Sequence, residues 1–459
     1  MLRRMMHRTS SLGPWVFVVL GSACGGSSGG ASSGKDAGPV SSPDAAPDSS
    51  SKPPHDGASP SDGPAPSEAA SACVPAIPHL AWTSPYAGWS GGISTDPSFF
   101  PIAVWLQQSF HAEELSGLGV NIYVGNNAGT DPLAASDLAT LKSYGMYAII
   151  AQDSVGLASI DDPTIVAWWM SPDEPDNAQP ASGGGYGPPV SPSTLITEYD
   201  AYKKADPTRP AWLGLGQGVA FAAWEGRGSD APPESGYPAA SDIVGFDIYP
   251  YNACGGDANQ MMICGQFWLN ALGVDNLHMW SDRNQAVWTD FETTDIGGTG
   301  NGPTPVETTS EVWLALIHDA NGILYFIDLI TPTFREDGIF ADPAMVTAVT
   351  ALDKEIKSLA PELNSATIPD LVTVTSSNTA APIDSMVKAN GTSLYVFSAI
   401  SRAGTATGSF AIKGMTGNGT ATVVSEGRTV DVVAGKFSDD FAANGAHVYQ
   451  VDLSKAVCP

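Results

Sequence analysis

Positive charge is scarce in this 459-residue chain: 20 Lys and Arg stand against 48 Asp and Glu, giving a formal net charge of -28. Gripping nucleic acid by its phosphates needs Lys and Arg to displace counterions, and adsorption to anionic lipid needs the same residues. The charge balance argues against both partners. Seven His and five Cys leave little material for a metal cluster, the His show no ligand spacing, and neither metal nor cofactor is expected. Gly214-Leu-Gly216-Gln-Gly218 lacks the Lys-Ser/Thr that a phosphate loop requires. What the chain does hold is 43% hydrophobic residues and 12 Trp, ample for a large folded part.

Arg3, Arg4 and Arg8 precede an apolar run at 15–20, and Gly21-Ser22-Ala23 leads into Cys24. A basic start, a short apolar run and small residues compose an export signal too short to span a bilayer. The arrangement resembles a bacterial lipoprotein signal, which implies that residues 1–24 are the signal and that Cys24 is acylated. Plain cleavage after Ala72 is the alternative. Residues 25–72 are almost entirely Gly, Ser, Ala, Pro and Asp, without an aromatic and with a single Val. Such a segment buries too little apolar surface to offset its ordering entropy and is expected to be a disordered tether. The predicted location is the cell surface or outer membrane, or the medium, with membrane contact only through the lipid. An oxidising compartment suits cysteine pairing. Cys254 and Cys264 are ten residues apart, whereas Cys73 opens the folded part and Cys458 nearly closes it. Pairing is not deducible from sequence alone; the favoured set is Cys254–Cys264 and Cys73–Cys458, since each partner is otherwise left alone.

From about residue 100, short apolar runs alternate with amphipathic ones, the sign of βα units. Strands are predicted at 102–106, 120–124, 147–151, 165–170, 211–215, 243–249, 286–291 and 323–329. Helices are predicted at 112–118, 136–144, 194–205, 266–272, 307–319 and 343–359. Eight such units match an α/β (β/α)₈ TIM barrel over residues 73–360. The long Gly/Pro-rich loops at 171–193 and 218–241 follow strand ends, where a barrel places its active site. After about Pro361 the texture changes to short alternating runs at 371–374, 393–397, 408–412, 421–424, 429–432 and 447–451. These predict an antiparallel β-sandwich over 361–459, packed on the barrel and held there by the Cys73–Cys458 bridge.

Two strands end on acids. Ile165-Val-Ala-Trp-Trp-Met-Ser-Pro runs into Asp173-Glu174-Pro175-Asp176, and Ala286-Val-Trp-Thr runs into Asp290-Phe-Glu292. They close the fourth and seventh predicted strands. Cleaving a glycosidic bond takes two carboxyl groups across the bond, one giving a proton and one meeting the cationic centre. A barrel brings distant strand ends onto one rim. The pattern resembles the clan A type of (β/α)₈-barrel retaining glycoside hydrolases, whose acid/base Glu follows strand four and whose nucleophile Glu follows strand seven. The resemblance implies Glu174 as acid/base and Glu292 as nucleophile, with a carboxyl separation of about 5–5.5 Å. Glu174 is expected to keep its proton, and Glu292 to stay ionised. Phe246-Asp247-Ile248-Tyr249-Pro250-Tyr251 resembles the sixth-strand segment that carries a Tyr to the nucleophile, which implies a hydrogen bond from Tyr249 to Glu292. Gly322-Ile-Leu-Tyr325-Phe326 resembles the eighth strand, which implies Tyr325 as a sugar-subsite floor. Asp173 departs from the pattern: the superfamily usually has Asn there, its amide on the sugar 2-hydroxyl. An acid beside Glu174 also raises its pKa.

Acids at strand ends also serve as helix caps and solvated loop residues. Asp290 shares the strand face of Glu292 and is the alternative functional acid; Asp247 and Asp328 end strands too, as supporting partners or structural groups. Trp105, Trp168, Trp169, Trp224, Trp268 and Trp288 are candidate stacking platforms. Trp224 is favoured because it sits in a long loop with Glu225 and Arg227. The expected function is an exported, monomeric glycoside hydrolase acting on a poly- or oligosaccharide. The alternative is a non-catalytic carbohydrate-binding surface lipoprotein.

Overall fold

The computed structural model describes residues 73–125, 134–224, 236–281 and 285–459. The export signal with Cys24, the tether, Glu225 and Arg227 lie outside the described residues. In chain order the first part runs β1 (Ile102–Trp105), α1 (Ala112–Leu118), β2 (Ile122–Val124), α2 (Ala135–Ser143), β3 (Tyr147–Ala151), α3 (Ser154–Ala158) and β4 (Ile165–Trp169). It continues with α4 (Pro192–Ala205), β5 (Ala211–Leu215), β6 (Ile243–Phe246), α5 (Leu269–Trp280), β7 (Ala286–Glu292), α6 (Pro305–Ile317), β8 (Gly322–Phe326), α7 (Pro343–Ser358) and α8 (Ala360–Leu363). The eight strands are parallel and form a closed barrel, with Ile102 of β1 beside Ile323 of β8. This is a TIM barrel.

The helices start where the chain supplies caps. Ser191, Thr304 and Asp342 stand as N-caps of α4, α6 and α7, each followed by a Pro whose missing N–H costs nothing in the first turn. Residue 273 is glycine inside α5 because the helix lies against β6: a Cβ there would sit 2.1 Å from the Phe246 ring. The helix runs on to Trp280, past the predicted end at 272.

Alternation along the strands sorts the side chains into two layers. Val104, Leu213, Val287 and Ile323 face outward into the apolar layer filled by Leu115, Leu138, Val312 and Leu352 of the helices. The inward layer pairs large residues with absent ones. Trp212 lies over Gly214 and Gly245, where an added Cβ would come within 2.8 and 3.2 Å of its ring, and Trp288 lies over Gly322. Tyr86, from the segment before β1, closes the base: its hydroxyl accepts from Trp288 Nε1 at 2.8 Å and donates to the Asn321 carbonyl at 2.8 Å. With the N-terminal end sealed, the open end of the barrel is the C-terminal one.

The second part comprises β9 (Val372–Ser376), β10 (Ile383–Asn390), β11 (Ser393–Ile400), β12 (Ala406–Ile412), β13 (Gly419–Val423), β14 (Arg428–Val432), β15 (Lys436–Phe441) and β16 (Ala446–Asp452). They form antiparallel sheets ordered β10-β11-β16-β13-β14 and β15-β12-β9. Phe410 and Phe437 stack at 4.5 Å in the smaller sheet, and both sit 5.1 Å from Tyr449 of the larger one. Strands β10 and β15 had no counterpart among the predicted runs. The joint with the barrel is partly polar: Lys388 Nζ donates to Asp319 at 3.0 Å, and His318 lies 2.9 Å from Asp275 and 3.3 Å from Asp384. The Arg402 guanidinium sits 4.2 Å from the centre of the Trp268 ring. Cys73 bonds Cys458 and Cys254 bonds Cys264, which is the favoured pairing.

Candidate active site

The loop after β4 is tied down at its first residues. Glu174 adopts a left-handed backbone, φ 45°, unusual for a residue with a side chain. Three hydrogen bonds hold it there: its N–H donates to the Gly214 carbonyl at 3.2 Å, and its carbonyl accepts from Asn177 N at 3.0 Å and Gln179 Nε2 at 3.0 Å. Asp176 Oδ1 accepts the Gly216 N–H at 2.8 Å, pinning the loop to the end of β5. Strain concentrated on one acid at a strand end points toward function.

The Glu174 carboxyl accepts from Asn177 Nδ2 at 2.8 Å and lies beside the Asp247 carboxyl, which follows β6, close enough for the two to share a proton. Two carboxyl groups can share a hydrogen bond only if one is protonated. Burial, and after it the charges of Asp247 and Asp173, push Glu174 well above the usual carboxylate range, so Glu174 holds the proton. Burial also raises Asp247, to about 6, against the lowering effect of hydrogen bonds from Glu174 and Tyr249. Burial, then Asp247 and Asp173, raise Asp290 on the inner face of β7, which is 7% exposed with Oδ1 unpartnered. Desolvation, then the charge of Asp247, shift Asp173 upward against a backbone hydrogen bond with Glu174, although the residue is exposed at the mouth. Four acids thus gather at the mouth, and among the described residues no Lys, Arg or His stands among the main groups shifting them. Such a site favours a ligand or transition state that gains positive charge. Among the described residues, no three His, Cys, Asp or Glu side chains converge to hold a metal ion.

Glu292 stands apart from this group. It is 0% exposed, and both oxygens are engaged: Tyr251 N donates at 2.7 Å, Asn252 N at 2.8 Å and Asn252 Nδ2 at 2.5 Å. Burial lifts it to about 7 even against these donors, where an ionised group was expected. The carboxylate clamps the loop after β6. The expected hydrogen bond from Tyr249 to Glu292 is not formed; Tyr249 bonds Asp247 instead, because Tyr249 and Asp247 lie on the same side of their strand's extension.

Tyr325 does not floor the cleft either. It lies one residue out of phase, on the outer face of β8, fully buried with its hydroxyl on Asp353 of α7 at 2.7 Å. The aromatic that reaches the site from this strand is Phe326, 5.4 Å from Tyr249. Of the candidate tryptophans, Trp168 points outward to Asp206, Trp268 lies under Arg402, and Trp288 fills the base. Trp105, Trp169 and Trp212 cluster inside the barrel at 5.3 and 5.9 Å, and the indole N–H groups of Trp169 and Trp212 have no partner. Trp224 donates to Asn177 Oδ1 at 2.9 Å. Sequence reasoning did not single out Asn177; its one signal was an amide three residues past Glu174 in a Pro-bounded turn.

No protein-family model matches the chain, and no curated protein matches it in sequence. Solved structures similar to it include AmyP in complex with maltose, at 10% identity over 79% of this chain and 98% of that one, TM-score 0.49. A GH30 endoxylanase from Clostridium papyrosolvens shares 10% identity over 77% and 96%, TM-score 0.41. An α-amylase from Geobacillus thermoleovorans complexed with acarbose shares 11% over 78% and 99%, TM-score 0.45. The barrel itself rests on the closed strand order of this chain.

Proposed function

We propose that the chain is an exported glycoside hydrolase that cleaves an oligo- or polysaccharide at the C-terminal mouth of its barrel. The observation that carries this reading is the gathering of Asp173, Glu174, Asp247 and Asp290 at the ends of β4, β6 and β7. Glycoside cleavage uses one carboxyl that keeps its proton for the leaving oxygen and another that meets the anomeric centre. Glu174 suits the first role. Strand position suggested Glu292 for the second, but three N–H groups already occupy it, so we assign that role to Asp290, whose Oδ1 is free of partners.

In the proposed retaining sequence the Asp290 carboxylate attacks the anomeric carbon while the bond to the leaving oxygen breaks. The Glu174 proton passes to that oxygen. Ionised Glu174 then takes a proton from the water that releases the sugar from Asp290. Burial pushes Asp290 toward its neutral form in the free protein, and the positive charge developing on the sugar favours its ionised form. Tyr249 holds Asp247, which receives the Glu174 proton's hydrogen bond until substrate displaces it. Glu174→Ala and Asp290→Ala should each abolish turnover with folding intact, and azide should rescue Glu174→Ala on substrates with activated leaving groups. Full activity in Asp290→Ala, with loss in Glu292→Ala, would return the nucleophile to Glu292.

Asp173, standing where the resembled hydrolases carry an amide, favours a second reading: a barrel that binds glycan without turnover. Retained glycan binding with no product from any polysaccharide selects it. Residues 1–24 are proposed as a lipoprotein-type signal with acylated Cys24, and 25–72 as the tether of a monomeric head. Cys24→Ser should shift the protein from the membrane to the soluble fraction, and wild type found soluble would refute the anchor.

A further inference from the structure

Indole Nε1–H can only donate a hydrogen bond. The Asn177 atom 2.9 Å from Trp224 Nε1 is therefore the amide oxygen, and the atom 2.8 Å from Glu174 Oε1 is the NH₂ nitrogen. That NH₂ can only donate in turn, so Oε1 accepts, the role a carbonyl oxygen fills better than a hydroxyl. Burial, then the charges of Asp247 and Asp173, push Glu174 well above the usual carboxylate range, so it keeps a proton. With Oε1 taken, the proton belongs on Oε2.

We propose that Trp224 and Asn177 form a relay that favours the Glu174 proton on Oε2, and so make Asn177 a positioning residue for the proton donor. This rests on the reading of Glu174 as that donor. The surroundings are built for the chain of bonds. Trp224 packs against the apolar core, so its N–H is held rather than free to swing. Asn177 is fixed by its own N–H on the Glu174 carbonyl, and Gln179 Nε2 caps both the Glu174 and Asn177 carbonyls at 3.0 and 2.9 Å. Gly216 leaves the amide its space, since a Cβ there would lie 2.4 Å from Asn177 Nδ2. A proton confined to one oxygen meets the leaving group in one geometry, whereas a free carboxyl presents it on either. The relay also makes Trp224 a donor to the machinery, a role separate from stacking on sugar.

The test uses the full chain with Asn177→Ala and Trp224→Phe, the second keeping an aromatic ring while removing the indole donor. Infrared difference spectra against Glu174→Gln isolate the neutral Glu174 carbonyl stretch without any substrate. Asn177→Ala should move that band to higher frequency, and Trp224→Phe should shift or split it as the amide is freed to turn. An unmoved band in both variants overturns the relay, whatever the activity. On glycosides, both variants should lose about 10-fold in kcat with poor leaving groups, against less than about twofold with activated ones, at unchanged KM. A rise in KM alone for Trp224→Phe would make the ring a stacking platform and overturn its place in the relay. Shifted bands together with no turnover of any glycoside by wild type would refute the hydrolase reading and leave the relay standing.

Discussion

Replacing Gly216 with Ala perturbs the proposed proton donor by steric contact alone. The backbone there is extended, φ −84° and ψ 179°, which any residue adopts, so the substitution carries no conformational strain. What it lacks is room: the new Cβ would stand 2.4 Å from Asn177 Nδ2 and 2.8 Å from Glu174 Oε1. Ordinary contact requires the amide and the carboxyl to retreat by about 1 Å, a crowding that costs about 1–3 kcal/mol of stability. A displacement of that size at a reacting group costs about 100-fold in rate. Gly216→Ala should therefore remain folded by thermal melting yet lose about 100-fold in kcat, mostly on poor leaving groups. Gly183→Ala, in the loop after β4 with nothing within 4 Å, is the control and should change neither. Wild-type kcat in Gly216→Ala, with Glu174 unmoved in its crystal structure, would refute the placement of the proton donor.

Three further outcomes follow from the frame. Against burial, which lowers it, Asp275 and Asp384 raise His318 to about 9, so its ion pairs stabilise fully below the unfolded His value near 6.5 and fade as pH climbs through 9. About 1 kcal/mol should be lost across that window once solvent at half-exposed Asp275 is allowed for, and His318→Gln, measured by denaturant titration, should flatten the loss. Tyr86→Phe strands the buried Trp288 N–H and the Asn321 carbonyl and should cost about 1–3 kcal/mol by the same titration. Cys458→Ser opens a link between residues 385 apart and should lower stability by about 2–5 kcal/mol; a reductant added to wild type should reproduce the drop, and an unchanged melt would contradict it.

The barrel was legible because its strands are buried on both faces and read as unbroken apolar runs, such as Ala211–Leu215 and Gly322–Phe326. Strands β10 and β15 escaped because Ile383–Asn390 and Lys436–Phe441 carry Asp, Lys and Ser on half-solvated faces, where alternation is weak. At the site, strand position located Glu174 and Asp290 but not what each carboxyl touches. Glu292 and Tyr325 show the limit. One is turned into the β6 loop by three donors, and the other falls on the outer face through a one-residue difference in phase. The Trp224–Asn177–Glu174 chain spans 50 residues, and only folding brings its ends together.

The most direct measurement is release of new reducing ends from a panel of polysaccharides by the full chain and by Glu174→Gln. At least one polysaccharide should yield product with wild type, and Glu174→Gln should lose that yield while keeping its melting transition. No product from any member of the panel, or equal product from the variant, would contradict the account.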